Sequence, residues 1–253
     1  DASPEGAFDL VGANPPYYEA ERGLPSPDPG RAGARHSLSA GYADFLAAAG
    51  DMNRRGWALK IEDAYRTSEM QKYNALRPDV FPAVLARTRW ELGGAMPDLQ
   101  LLQRRLAALI AMNPKVGTHC SGSAIDVSVR SLDGTAEVDR GATYLEISEK
   151  TPMDSPFVSR EAAANRAEIT ALMARHGFRT YPFEFWHYNR GDAYDGLLSD
   201  SRRPARYGPV DLDPITGNVT PVPDPLAPLN SEEEIVARIA DTMRDDGRTG
   251  AMP

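Results

Sequence analysis

The sequence predicts one globular core built from helices and strands, framed by an irregular arm and a proline-rich tail. Helical periodicity covers residues 39–55, 82–112 and 159–176, and strand-like segments occupy 57–65 and 124–129 between them. With 253 residues, the chain is long enough to bury a substantial core without disulfide bridges.

The composition argues against several classes of partner. The formal net charge is -8, so the positive surface that binds nucleic acid or an anionic membrane is not expected. No run approaches the ~20 apolar residues of a membrane span. The chain has a single cysteine, Cys120, which excludes an internal disulfide framework and a cysteine-rich zinc knuckle.

Changes in composition divide the chain into three parts. Residues 1–37 are rich in proline, glycine and aspartate, which predicts an extended surface arm. Residues 38–200 hold the periodic segments, and 201–253 form the tail, with seven prolines between Ser201 and Asn230. We therefore expect one folded domain between two irregular extensions.

A final helix is predicted at 231–246, within the tail. Ser231 and Glu234 have the spacing of a capping box, and an apolar stripe follows them. The stripe consists of Ile235, Val236, Ile239 and Met243. We expect it to dock on its own domain; the alternative is a helix that binds a partner.

The strand-like segment at 57–65 ends in Asp63-Ala64-Tyr65-Arg66. Ser68 and Gln71 resemble a capping box, so a short helix is predicted to follow at once. Arg66 would then lie at a strand-to-helix corner, a common place for a functional side chain. The alternative is a structural arginine paired with a neighbouring acid.

Two stretches contain the residue types of a mononuclear zinc site. The first runs from Thr118 to Asp126; its continuation at 124–129 alternates so that Asp126 points away from the apolar face. The second, Tyr181 to Tyr188, belongs to the aromatic segment 178–188, which is predicted to be a strand. Together they bring two histidines and two carboxylates.

A hydrolytic zinc ion takes three protein ligands and keeps one position for water. His119, Asp126 and His187 would supply the ligands, which leaves Glu184 free as the base that moves protons. On a regular strand Glu184 and His187 would face opposite ways. We therefore predict an irregular strand near Trp186. Cys120 is a less favoured fourth ligand or nucleophile; the preferred interpretation is a buried, inert thiol.

At these residues the sequence resembles the zinc D-alanyl-D-alanine dipeptidases of the vancomycin-resistance type and the related D,D-carboxypeptidases. Their shared pattern, His-x-x-Gly-x-Ala-x-Asp followed later by Glu-x-x-His, appears here as His119 to Asp126 and Glu184 to His187. The family's Asp-Gly-Tyr-Arg element is similar to Asp63 to Arg66, and its Asn-Arg helix to Asn165-Arg166. The similarity covers about residues 38 to 195.

The resemblance implies an α+β domain with a mixed or antiparallel sheet flanked by helices. It also implies one Zn²⁺ held by His119, Asp126 and His187. Glu184 would be the general base and acid, and Arg66 would stabilise the oxyanion of the tetrahedral intermediate. The implied partner is a small peptide substrate that contains D-amino acids.

Three positions depart from the family pattern. Thr118 and Ala64 replace a serine and a glycine, which are mild changes. Thr151 stands where the dipeptidases have an acid that binds the free amine of the substrate, and a buried ammonium without a carboxylate is costly. Glu146, Glu149 and Asp154 are the candidates to substitute for that acid.

The sequence therefore predicts a zinc peptidase that hydrolyses D-Ala-D-Ala or a similar short D-amino-acid peptide. One alternative is a D,D-carboxypeptidase or a small-peptide tailoring hydrolase of the same chemistry. Another is a non-catalytic, metal-containing protein that binds peptidoglycan fragments. Glu184 and Arg66 argue against the binding protein, because a binder needs no base beside its metal.

Overall fold

The structure, a computed structural model, describes residues 38–115, 118–199, 204–213 and 215–249. The arm expected over 1–37 lies outside the described residues. The helices, in chain order, are α1 (Leu38–Arg54), α2 (Ser68–Ala75), α3 (Phe81–Glu91), α4 (Leu99–Ile110), α5 (Arg160–Arg175), α6 (Ala193–Leu198) and α7 (Glu232–Thr249). The strands are β1 (Trp57–Asp63), β2 (Ala124–Ser131), β3 (Arg179–Tyr181), β4 (Glu184–Asn189), β5 (Val210–Leu212) and β6 (Val219–Pro221).

Four strands form the main sheet, in the order β1-β2-β4-β3. Every pairing in it is antiparallel, and β5 and β6 form a separate antiparallel hairpin. The α+β class is therefore confirmed, with an antiparallel sheet rather than a mixed one.

One face of the main sheet packs against α1 and α5. The alternation predicted for 124–129 is correct on this face, where Val127 and Val129 are fully buried. They join a hydrophobic cluster from both helices and the neighbouring strands: Phe45, Ala48, Met52, Trp57, Ile169, Leu172, Met173, Phe178 and Tyr188. Asp126, with the opposite orientation, lies on the other face.

A second hydrophobic cluster forms where we expected one continuous core. It belongs to α3, α4 and α7 with the end of α2, and includes Phe81, Val84, Leu85, Leu102, Leu106, Ile110 and Ile235. These helices bury their apolar stripes against one another, because each presents only one such face. Ile235 and Ile239 of the predicted stripe therefore pack on the chain's own helices, whereas Val236 and Met243 are exposed.

The helix caps correct one expectation and confirm another. The N-cap of α2 is Thr67, whose side chain accepts a hydrogen bond from the N–H of Met70, and not Ser68 as the spacing suggested. The capping box of α7 is confirmed, because Ser231 and Glu234 each accept the other's backbone N–H. This helix runs to Thr249, past the expected end at 246.

The aromatic segment predicted to be a single strand is a hairpin of β3 and β4. Pro182 and Phe183 form a turn between β3 and β4. The pairing then shifts register, since Thr180 lies opposite Tyr188 but Tyr181 lies opposite Glu184. The irregularity predicted near Trp186 is therefore confirmed. Among the described helices, none is long and apolar enough to cross a bilayer.

Candidate metal centre

Three buried side chains from separate elements meet on the open face of the main sheet. His119 comes from a short 3-10 turn, Thr118–Ser121, Asp126 from β2 and His187 from β4. Asp126 and His187 are direct partners in the β2–β4 ladder, which places their side chains next to each other. One ligand atom from each of the three lies within 4.8 Å of the others.

Asp126 lies between the two histidines. Its Oδ1 is 3.3 Å from His119 Nε2 and 3.1 Å from His187 Nδ1. Burial alone would raise the pKa of Asp126, but the charge and hydrogen bond of His119, with the hydrogen bond of His187, hold it well below its usual value. The aspartate is therefore ionised, as a metal ligand must be.

Both imidazoles are held through the nitrogen that points away from Asp126. His119 Nδ1 lies 2.6 Å from the carbonyl of Ala64; because a carbonyl only accepts, this nitrogen is a donor, and Nε2 is the nitrogen that faces Asp126. His187 Nε2 lies 2.9 Å from Thr118 Oγ1. Burial lowers the pKa of His187 and so favours the neutral form that binds metals.

The second oxygen of Asp126 has partners of its own. Tyr144 donates its hydroxyl to Oδ2 at 3.2 Å, and Arg66 Nη2 is 3.5 Å from the same atom. These contacts fix the plane of the carboxylate while Oδ1 faces the histidines. The donor set of two imidazoles and one carboxylate, preoriented in this way, fits a divalent metal such as zinc.

Glu184 lies beside this set and not within it. Its Oε2 is 3.6 Å from His187 Nδ1, although the two residues are only three positions apart on β4. The register shift between β3 and β4 brings them to one side. Burial, together with the charge of Asp126, raises the pKa of Glu184 well above its ordinary value.

Arg66 occupies the corner between β1 and α2 and is buried. Its Nε and Nη2 each bind Asp63 Oδ2 at 2.8 Å, and Nη1 donates to Gln71 Oε1 at 3.0 Å. The predicted corner position and the pairing with a neighbouring acid, Asp63, are therefore correct, and the guanidinium also reaches Asp126. Gln71, first interpreted as part of a cap, is instead a buried partner of the arginine.

A cavity of about 220 Å³ opens above these residues. His119, Asp126, Glu184, His187 and Arg66 all line it. The opposite wall comes from the end of α2, from α4 and from the segment that follows each: Asn74, Arg77, Val80, Ala107, Ala108, Leu109, Ile110 and Ala111. Members of the second hydrophobic cluster, Val80, Leu109 and Ile110, therefore form part of this wall.

Cys120 is buried, and burial raises the pKa of its thiol to about 12. A thiol with this pKa stays protonated and is a poor ligand and nucleophile. Cys120 is also absent from the described ligand cluster. The geometry thus favours the inert thiol over a fourth ligand.

Thr151 is buried, and its hydroxyl forms hydrogen bonds within its own loop. Its hydroxyl donates to the carbonyl of Glu146 at 2.8 Å and accepts from the N–H of Ser148 at 2.7 Å. Neither Thr151 nor Glu146, Glu149 and Asp154 is among the described residues that line the cavity. The three acids that the sequence suggested as amine-binding substitutes are therefore not part of the described cavity lining.

Sequence reasoning missed two supporting residues, Gln71 and Tyr144. Gln71 lies four positions before the buried Ala75 on α2, so the two share one face of the helix. This spacing could have predicted that Gln71 is buried. Tyr144 belongs to an irregular loop, and no periodicity indicates that its hydroxyl reaches Asp126.

Comparisons with known proteins find D-alanyl-D-alanine dipeptidases. The D-alanyl-D-alanine dipeptidase of Escherichia coli (strain K12) is 32% identical over 130 residues, which cover 51% of this chain and 58% of that protein. That of Enterococcus faecium is 32% identical over 71 residues, 28% of this chain and 35% of that protein. The matches thus span between 35% and 58% of these relatives' lengths.

A family model described as D-ala-D-ala dipeptidase matches residues 42–203. This range contains both motif stretches and the corner at Arg66, and it ends before β5. The chain therefore belongs to the D-ala-D-ala dipeptidase family of peptidases.

Proposed function

We propose that this chain is a zinc-dependent peptidase that hydrolyses D-Ala-D-Ala or a similar short peptide containing D-amino acids. The observation that carries the proposal is the cavity in which His119, Asp126 and His187 converge beside Glu184 and Arg66. Its volume is below the roughly 300–1,000 Å³ of pockets that hold drug-sized ligands, which favours a short peptide.

His119, Asp126 and His187 would hold the zinc ion. When bound, zinc would lower the pKa of a coordinated water and polarise the peptide carbonyl. The backbone of Ala64 and the hydroxyl of Thr118 orient the two imidazoles for this purpose. A ligand set that is already oriented loses little conformational entropy when the metal binds.

Glu184 would act as general base and then as general acid. Its carboxylate takes a proton from the attacking water and passes it to the nitrogen of the leaving amine. Its position suits both steps, because the carboxylate lies beside the three ligand candidates, with Oε2 3.6 Å from His187 Nδ1, and is not one of them.

Arg66 would stabilise the negative charge that develops on the carbonyl oxygen. Its guanidinium stays charged despite burial, since Asp126 and Asp63 offset the desolvation that would lower its pKa. Asp63 and Gln71 hold the planar group in place, so little reorganisation is needed as the charge appears.

The loop at Thr151 favours a second candidate of the same chemistry. Without a carboxylate at this position, a free amine on the substrate has no assigned partner there. A D,D-carboxypeptidase or a tailoring hydrolase would act on a peptide whose amine is blocked or distant. The two candidates differ only in the N-terminal side of the substrate.

Turnover of free D-Ala-D-Ala and of its N-acetylated form by the zinc-loaded protein tests both candidates. L-Ala-L-Ala and a chelator-treated sample are the controls. We expect chelator-sensitive release of D-alanine from the free dipeptide. Cleavage of the blocked form instead would support the carboxypeptidase. If neither D-peptide is cleaved, the proposed substrate class is wrong.

A further inference from the structure

The β5–β6 hairpin of the tail lies against the corner that carries Arg66. The hydroxyl of Tyr65 donates to the carbonyl of Val210 at 3.0 Å and accepts from the N–H of Leu212 at 2.8 Å. One phenol group thus pairs with both ends of β5. The residue directly before Arg66 is fixed to the tail.

The other side of Arg66 is tied to the same strand by Asp211. The backbone N–H of Ser68 donates to Asp211 Oδ1 at 2.7 Å, and the hydroxyl of Ser68 donates to Oδ2 at 2.6 Å. Ser68 is the first residue of α2, where a negative charge is also favoured by the helix dipole. Arg66 is therefore bracketed by two contacts with β5.

The tail is itself anchored on both sides of the hairpin. Before it, the N–H groups of Arg206 and Tyr207 donate to the carbonyl of Gly191 at 2.7 and 3.0 Å. After it, Leu229 N–H donates to the carbonyl of Met112 at 3.0 Å and Lys115 N–H to that of Pro225 at 2.8 Å. The position of β5 is therefore set by the folded domain.

We propose that β5 is a positioning element for Arg66, with Asp211 as the residue that fixes the corner. The proposal rests on the peptidase function proposed above. It goes beyond the family match, which ends at residue 203 and does not include the hairpin. A guanidinium stabilises a transition state only when it is aimed closely, since a 1 Å displacement can cost 10²-fold in rate.

The test compares Asp211→Asn with Asp213→Asn. Both remove one negative charge from the same hairpin. Within the part of the chain that the structure describes, the Asp213 carboxylate bonds to its own turn, at Ile215 and Thr216. We expect Asp211→Asn to lower kcat about tenfold with KM nearly unchanged, and Asp213→Asn to have no effect on either. Equal values of kcat for both variants would overturn the proposal.

A double-mutant cycle with Arg66→Lys separates positioning from general destabilisation. If Asp211 acts through the guanidinium, Asp211→Asn lowers kcat in the wild-type background but adds almost nothing once Arg66 is lysine. The same loss in both backgrounds would mean that Asp211 supports the fold and not the arginine.

Amide hydrogen exchange keeps the proposal testable if no peptide is turned over. We expect faster exchange at residues 64–68 in Asp211→Asn but not in Asp213→Asn. Unchanged exchange there would overturn the positioning role, whatever the substrate. If no peptide is hydrolysed but exchange at residues 64–68 is faster in Asp211→Asn, the result would count against the proposed function and not against the positioning role.

Discussion

The two sides of the cavity are built in different ways. The sheet half consists of β1–β4 with α1 and α5. Strand pairing and one register shift position Asp126, His187 and Glu184, and the 3-10 turn before β2 carries His119. The helical half consists of α2, α3, α4, α7 and the tail. It lines the cavity through α2, α4 and the segments that follow them, mainly with small and apolar side chains. The reacting groups and the shape of the cavity thus depend on separate hydrophobic clusters.

Arg66 lies where the two halves join. It follows β1 of the sheet half and precedes α2 of the helical half, and it contacts Asp126 from one and Gln71 from the other. This division predicts which substitutions should affect chemistry and which should affect stability. Changes in the sheet half should reduce turnover, and changes in the core of the helical half should mainly lower the free energy of unfolding.

The largest effect is expected for Glu184→Gln. The amide has the same shape but cannot take a proton from water, so kcat should fall by about 10²–10⁴ while zinc content stays the same. Turnover and bound zinc are measured on one sample. Glu168→Gln, at an exposed position, is the control.

Unchanged turnover in Glu184→Gln with zinc bound would remove Glu184 from the mechanism. If zinc were lost instead, the carboxylate would be a ligand. With the first result, the sheet half would no longer provide the general base. With the second, Glu184 would join His119, Asp126 and His187 as a metal ligand.

Strand patterns explain why much of the sheet half could be predicted. The alternation of β2 places Val127 in the core and Asp126 on the opposite face, as expected. The need for Glu184 and His187 to share one side correctly predicts an irregular β4. Both inferences depend only on the alternation of side chains along one strand and on which side chains must share a face.

The helical half was less predictable, because its contacts join distant parts of the chain. Residues 201–230 of the tail have prolines and no periodicity, yet they contain a hairpin whose Asp211 binds Ser68, 143 positions away. Likewise, Tyr144 reaches Asp126 from a loop. Neither contact leaves a repeating pattern, and a single sequence gives no other signal for them.

An intermediate effect is expected for Thr118→Val. Removing the hydroxyl that faces His187 Nε2 frees the imidazole to rotate, and loss of such a partner typically weakens metal affinity 10–100-fold. Competition with a chelator of known affinity measures the change. Thr118→Ser keeps the hydroxyl and should restore zinc binding. If Thr118→Val and Thr118→Ser bind zinc equally well, the hydrogen bond to His187 does not orient this ligand.

The smallest effect on turnover is expected for Ile235→Ala, in α7. Ile235 is 0% exposed and packs among the helices of the second cluster, so its truncation should cost about 2–5 kcal/mol of unfolding free energy. Val236, its neighbour, is 52% exposed, and Val236→Ala should change stability by less than about 0.5 kcal/mol. Denaturant unfolding measures both variants, and kcat per folded molecule should stay near the wild-type value for each. A large loss of kcat in Ile235→Ala without a loss of stability would mean that the helical half controls the reacting groups directly, and the two halves could no longer be treated as separate.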